Sequence, residues 1–504
     1  MRISGFASGM DIDAMVKELM QAHRKPLDKL TQQKQTIEWQ REKYREINSK
    51  LVDFRNNKLF NLNMNSTLGA LKSTVSGNTA AVSAKAVSGS MAGSLEIRVG
   101  SLATAARISG GSMDADVTAE TVIGDKAGKL IVNDVEIEIS SEDTIQSVVN
   151  KINSNKDAKV TAFFDSQTGR MSLVSKETGA INDDGKIKLS DDNNKLVDFF
   201  KLNAGSSDSV AGTDASVTIN GIETTRSSNT FMVNGVEITL HAPTPDGAQS
   251  SIVTTSMDTD KVVDTIKSFI DDYNSLLKLL NDTVEEKKYR DFQPLTSDQK
   301  KELKEDDIKR WEEKAKSGLL RNDTILKKMI TDLRLDIMSP VTIGKDAEGN
   351  DIKMILDDIG ITTGRWEDKG KLVLKDEAKL REMLEKNPED VIALFTSKGT
   401  PDAEGNTPKN TQGIFQKMYD DVKVTLDSLF DKAGTSRFSN TLDDPLNEES
   451  IIGKELKNLD KRISDTNRKL LNLENRYYRQ FTAMEVAINK FNAQSGFLMN
   501  AFGG

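Results

Sequence analysis

Apolar residues recur along this chain with three different spacings, and the spacing changes at identifiable places. Near one end Leu456, Ile463, Leu470, Tyr477, Met484, Phe491 and Leu498 follow one another at intervals of seven. Leu459 and Leu473 fill the position three residues on, Thr466 and Gln480 do not, and Phe481 and Ile488 then shift the second row by one. A seven-residue period held this long predicts a coiled-coil seam, because a globular helix shows a broader stripe. A helix from about residue 455 to 500 would be roughly 70 Å long at 1.5 Å per residue.

The opposite end shows the same period. Ser8 followed by Asp11 reads as a capping box, and Ile12, Met15, Val16, Leu19 and Met20 follow at helical spacing. Pro26 fits the first position of a second, longer helix. There Leu30, Ile37, Tyr44 and Leu51 repeat every seven residues, with Ile47 and Phe54 beside them. The expectation is that the two ends pair within one chain, with further contacts between subunits.

Between the ends the period falls to two. Residues 66–120 are rich in Ser, Ala, Gly and Thr, yet Leu95, Ile97 and Val99 alternate with Glu96 and Arg98 as a half-buried strand does. Val132-Asn133-Asp134-Val135 and Val233-Asn234-Gly235-Val236 each place a hairpin turn signal between apolar residues. Two small β-containing domains are expected. Thr144 to Ile152 predicts a short helix, 158–164 and 170–175 strands, and the polar run 181–195 a loop. Proline is absent from 27 to 242, so no ladder donor is missing there.

From about residue 258 helical spacing returns. Val262, Val263, Ile266, Phe269, Ile270, Tyr273, Leu276 and Leu277 form a broad apolar face. The charged stretch 298–316 predicts one solvated helix laced by i,i+4 pairs. Further helices fit 319–338, 376–386 and 410–430, with 398–410 a loop and 433–449 a polar hinge. The fold class is therefore α+β multidomain: terminal helices paired as a coiled coil, a helical domain, and two small β-rich domains inserted between helical segments.

Composition narrows the function. The 504 residues leave room for about three domains. Cysteine is absent, which removes disulfides, thiol catalysis and Cys-ligated metals. The two histidines, His23 and His241, lie far apart in sequence; they fit a packed or interfacial position and a strand end. A net charge of −9 argues against nucleic acid. No apolar run is long enough to insert in a membrane, and the first ten residues hold no secretory signal. Gly124-x3-Gly128-Lys129, Gly179-x5-Gly185-Lys186 and Gly364-x5-Gly370-Lys371 lack phosphate-loop spacing and read as turns. Asp183-Asp184, Asp191-Asp192 and Asp357-Asp358 lack calcium-loop order and read as loops or helix caps. No nucleophile, base and oxyanion donor assemble, so no enzyme, cofactor or metal is expected. The remaining capacity is interaction surface.

Several stretches carry a resemblance. Ser4-Gly5-Phe6-Ala7-Ser8-Gly9-Met10-Asp11, then Glu18-Leu19-Met20 and Pro26-Leu27, resemble the start of the flagellar hook-associated protein 2 family, the filament caps of bacterial flagella. Gly93 to Val99 with Leu102-Ala103, and Ala215 to Ile222 with Arg226-Ser227-Ser228-Asn229, are similar to other family stretches. Ile145 to Val174 resembles a helix-plus-strand module shared with flagellins. The most specific piece runs from Ile308 to Asp323 and holds Trp311, Gly318, Leu319, Leu320 and Asp323; Gln480 to Glu485 adds the last.

This resemblance implies a structural cap at the distal tip of the filament, exported through the flagellar type III apparatus without a cleaved signal. It implies a homo-oligomer, commonly a pentamer, that retains flagellin and promotes its folding and insertion. The hook–filament junction protein and an export chaperone are further possible partners. The implied division is 1–44 with 450–504 as a coiled-coil leg, 45–68 with 257–449 as a helical leg domain, 69–107 with 206–256 as a β-rich head domain, and 108–205 as a variable outer domain. A filament or hook-junction subunit, or a surface adhesin, is the alternative.

Overall fold

The computed structural model describes residues 10–502, apart from 64, 88, 193, 204–206 and 403. The chain divides into two compact units, one formed by the chain up to Leu68 and again from Thr259, the other by Gly69–Asp258.

In the first unit one helix runs unbroken from Ile12 to Asp53. The expected Ser8 cap lies outside the described residues. Asp11 caps the helix, its carboxylate accepting from the Ala14 N–H at 2.9 Å. Pro26 sits inside this helix and starts no second one, which corrects the sequence expectation. The reason is solvent. A proline strands the carbonyl four residues earlier, here that of Ala22. Both residues are exposed, so water can take the orphaned acceptor. The helix continues through one π-helical turn, Phe54–Leu59, that buries Phe54, Arg55 and Leu59.

The helix Thr259–Glu285 buries the predicted apolar face together with Leu280 and Val284. Phe269 meets Phe415 edge-on, with ring centroids 4.8 Å apart, and Phe395 completes the cluster. Helices Thr324–Met338 and Ile414–Ala433 pack beside it. The charged stretch is two helices, Ser297–Glu302 and Glu305–Lys316, where one was expected. Thr296 and Gln299 form a reciprocal capping box that sets the first start. Two short hairpins, Val341–Lys345 with Asp351–Met354 and Ile361–Thr363 with Leu372–Leu374, stand where no strand was expected. The last helix runs from Ile451 to Phe502.

The second unit is built from sheets. One has five strands in the order 71–77, 251–257, 93–101, 215–219 and 222–226. Its entering and leaving strands are antiparallel neighbours, from Leu71↔Met257 to Gly77↔Ser251. The chain therefore enters and leaves side by side, which lets this unit interrupt a helical sequence. Both predicted hairpins form. Asn133 and Asp134 have φ of 48° and 66°, and Asn234 and Gly235 have 50° and 78°. Those positive angles are what a two-residue type I′ turn requires.

The unit holds two apolar cores. One joins Val82, Ile97, Val217, Ile238 and Val253. The other joins Leu130, Ile145, Val148, Ile152, Leu173 and Phe200. The 181–195 run is not wholly a loop: Leu189–Asp191 pairs with Leu130–Val132, and the Asp191 carboxylate accepts from the Leu196 and Val197 N–H groups of the next short helix. Strand Val160–Asp165 lies at the edge of its sheet. There the Asn153 amide bonds both the N–H and the C=O of Ala162, at 2.7 and 2.9 Å. In the helical unit Asn274 does the same to Leu372, at 2.8 and 2.9 Å.

Candidate assembly interface

The first and last helices pair antiparallel. Ile12, Val16 and Met20 are buried against Leu470, Leu473, Tyr477, Tyr478 and Phe481. Polar contacts fix the alignment: Lys34 to Asp460 at 2.6 Å, His23 Nε2 to the Tyr477 hydroxyl at 3.1 Å, and the Tyr478 hydroxyl donating to Asp13 at 2.9 Å. His23 is interfacial, as its place on the helix suggests.

The heptad residues fare differently along each helix. Leu456, Ile463, Leu470, Tyr477 and Met484 are half-buried, whereas Phe491 and Leu498 are 69% and 53% exposed. Phe497 and Met499 stand open beside them. On the first helix Val16 is buried and Leu30 half-buried, while Leu19 points away from the seam and is exposed. Ile37, Tyr44 and Leu51 are all buried, on the stretch that packs into the helical body.

That body receives the first helix through the segment around Trp311. Trp311 packs on Phe292 with centroids 4.6 Å apart and donates from Nε1 to the Gln293 carbonyl at 2.7 Å. Lys316 lies over the Trp39 ring. Gly318 has a φ of 66°, and a Cβ there would come within 2.8 Å of the Lys288 backbone, so only glycine fits the turn. Its N–H donates to Glu286, and the Leu319 carbonyl accepts from Gln40. Leu320 is buried beside it in sequence. Asp323 then does two things. One oxygen caps the helix Thr324–Met338 through the Leu326 N–H at 3.0 Å, and the other accepts the Tyr44 hydroxyl at 2.6 Å. Burial, and then the Asp323 carboxylate, push the Tyr44 hydroxyl well above the ordinary tyrosine range. The tyrosine therefore stays a neutral donor.

The expected polar hinge is instead a docked strap. Arg41 donates to the Ala433 and Asn447 carbonyls at 2.8 and 2.7 Å. Asn48 donates to Ser436 and accepts from Thr435, at 2.8 and 2.9 Å. Ser49 reaches the Asn440 carbonyl, Arg55 that of Arg437 and Asn56 that of Phe438. Asn48 and Arg55 are almost fully buried, so each bond satisfies a group whose stranding would cost about 1–3 kcal/mol. One signal in the sequence could have revealed this: Arg41, Arg45, Asn48 and Arg55 recur at helical spacing on a helix that already has its apolar stripe.

Among the described residues no group of three His, Asp or Glu is placed to hold a metal, and no helix is long and apolar enough to cross a membrane. His241 follows strand Val236–Leu240 and bonds the Ser83 hydroxyl at 2.8 Å. An open groove of about 810 Å³ runs along the last helix past Asn475, Tyr478, Thr482 and Val486.

Comparison with known proteins agrees along the chain. The family described as flagellar hook-associated protein 2 C-terminus matches residues 212–493, its N-terminal counterpart matches 8–106, and the flagellin hook IN motif matches 123–177. Flagellar hook-associated protein 2 of Halalkalibacterium halodurans is 30% identical over the full length of both chains. That of Thermotoga maritima is 26% identical over 77% of this chain and 57% of its own. The crystal structure of the D1-D2-D3 domains of the flagellar cap protein from Escherichia coli shares the fold, with a TM-score of 0.51 at 23% identity, covering 75% of this chain and 95% of that one.

Proposed function

The chain belongs to the flagellar hook-associated protein 2 family of structural, non-enzymatic filament caps, and on that premise we propose that it forms the cap at the distal tip of a bacterial flagellar filament. Copies of the chain assemble as a ring-like plate, a pentamer, with the paired terminal helices as legs reaching to the filament end. The plate retains exported flagellin and gives each new subunit a place to fold and insert. The chain reaches the tip through the flagellar export apparatus, and the hook–filament junction protein and an export chaperone are its further partners. The leg, helical, inner β and outer divisions at 1–44 with 450–504, 45–68 with 257–449, 69–107 with 206–256, and 108–205 carry these roles.

One observation carries this reading. The last helix keeps its heptad row past the stretch covered by Ile12, Val16 and Met20, and presents Phe491, Phe497, Leu498 and Met499 to solvent. Apolar side chains in such a row are buried by neighbouring helices, and an assembly of legs against filament subunits supplies them. Immunogold microscopy of intact flagella with antibody to residues 69–258 is the test. Gold confined to the distal end is expected. Gold along the shaft or at the hook junction would make the chain a filament or junction subunit instead, and gold on non-flagellar surface would favour the adhesin.

A further inference from the structure

The second unit turns its chain on asparagine at Asn133-Asp134, Asn220-Gly221 and Asn234-Gly235, with left-handed φ of 48°, 47° and 50° at the asparagine. At the first two the residue is pinned by a neighbouring chain segment. The Asn133 carboxamide donates to the Ala158 carbonyl at 3.0 Å and accepts from the Lys188 N–H at 3.1 Å. The Asn220 carboxamide accepts from the Glu96 N–H at 2.8 Å, and the Asn220 N–H donates to the Glu96 carbonyl at 2.9 Å. Asn234 differs. Its carboxamide bonds none of the described residues. The turn is held through carbonyls alone: that of Asn234 accepts from the Met91 N–H at 3.3 Å, and that of Gly235 from the Val87 N–H at 3.3 Å and the Ser90 hydroxyl at 2.7 Å. Asn220 and Asn234 are both exposed, so exposure does not separate them.

These are the chain's two Asn-Gly pairs, and such a pair carries its own nucleophile. The glycine nitrogen, with no side chain crowding it, attacks the asparagine Cγ. Its bond to Cγ forms, its proton passes to the departing amine, and ammonia leaves as the Cγ–Nδ2 bond breaks, closing a cyclic imide. Water then opens the imide. Opening at Cγ gives aspartate. Opening at the main-chain carbon gives isoaspartate, whose backbone runs through the former side chain. The sum is amide plus water to carboxylate plus ammonium, with nothing oxidised or reduced.

We propose that Asn234-Gly235 is a deamidation site of the folded chain, and that Asn220-Gly221, in an otherwise matched turn, is protected. A left-handed turn must open before nitrogen and Cγ can meet, so the rate follows local opening. At Asn220 opening breaks both bonds to Glu96, one of them on the carboxamide that must swing. At Asn234 the carboxamide is already free to swing, and two of the main-chain bonds are long ones. The Met91 N–H also draws charge from the 234–235 peptide, which eases loss of the Gly235 proton. The short Ser90 bond is then the chief brake. Aspartate at 234 keeps the turn and adds a negative charge. Isoaspartate adds a methylene that a two-residue turn cannot absorb, and so loosens edge strand Thr230–Val233 from Val236–Leu240.

The full folded chain is held in warm neutral buffer, and both Asn-Gly peptides are followed by mass spectrometry, with enzymatic methyl labelling for isoaspartate. Conversion at 234 should outpace that at 220 by about fivefold or more, the factor that one ordinary hydrogen bond represents. In the chain unfolded by urea the two should convert alike, since neither turn then exists. Ser90→Ala should speed conversion at 234 and leave 220 unchanged. Equal or faster conversion at 220 in the folded chain would overturn the proposal. So would a preference for 234 that persists unfolded, because the sequence and not the turn would then be choosing, or a rate at 234 that Ser90→Ala leaves unmoved.

Discussion

The two halves of the first helix share one backbone and one heptad row but not one kind of partner. From Ile12 to Met20 it buries Ile12, Val16 and Met20 against the last helix, and polar contacts there, such as His23 to Tyr477, are open to water. From Ile37 to Asn56 it is packed into a body of several helices, and even its polar residues are buried and bonded. A heptad row thus marks an apolar face without saying how deeply that face is buried. Depth is set by how many elements converge on it. The first half adds water-exposed polar contacts to its apolar seam, and the second adds buried ones.

The largest effect should come from the deep half. Leu51 is fully buried, and Leu51→Ala should destabilise the helical unit by about 3 kcal/mol through lost burial and a residual cavity. Thermal unfolding would show this as a drop of several degrees. A middle-sized effect is expected at the junction. Asp323→Ala removes a helix cap and strands the buried Tyr44 hydroxyl, for a combined cost of about 2 kcal/mol. Denaturant unfolding that left the midpoint unmoved would show that the Tyr44–Asp323 bond does not fasten the helix. The smallest effect on global stability belongs to the shallow half. Leu470→Asp puts a charge beside Ile12, Val16 and Met20, so the ends should come apart locally while global melting shifts by about 1 kcal/mol, less than for Leu51→Ala. Spin labels at positions 17 and 474 should report a longer, broader distance. A melting shift as large as that of Leu51→Ala would erase the contrast between the halves.

What the sequence disclosed follows the same physics. The last helix was legible because only a long helical seam keeps apolar residues seven apart over so many turns. The hairpins at Asn133-Asp134 and Asn234-Gly235 were legible because few residues accept positive φ. Pro26 misled because the rule against internal proline presumes a carbonyl with nowhere to turn, and here solvent receives it. The 433–447 strap was hidden because its acceptors are main-chain carbonyls, which every sequence supplies equally. Strand Leu189–Asp191 was hidden because three half-polar residues at an edge have no measurable alternation. Of the candidate site, the seam on the last helix could be read directly, whereas the role of Asp323 needed Tyr44, far away in sequence, to be brought beside it.

A strand at the border of a sheet is a template: its free N–H and C=O groups invite any passing chain to add another strand, and crowding many copies together multiplies the invitations. The carboxamide of Asn153 answers by offering Ala162 one donor and one acceptor, as a neighbouring residue would. It is in effect a strand one residue long, and it occupies the donor and acceptor that a new strand would need at Ala162. A carboxylate could not substitute, since it accepts from the N–H but repels the carbonyl. Asn274 closes the Leu372 border in the same way. Each border position so occupied is one place fewer where neighbouring copies could fuse by strand addition.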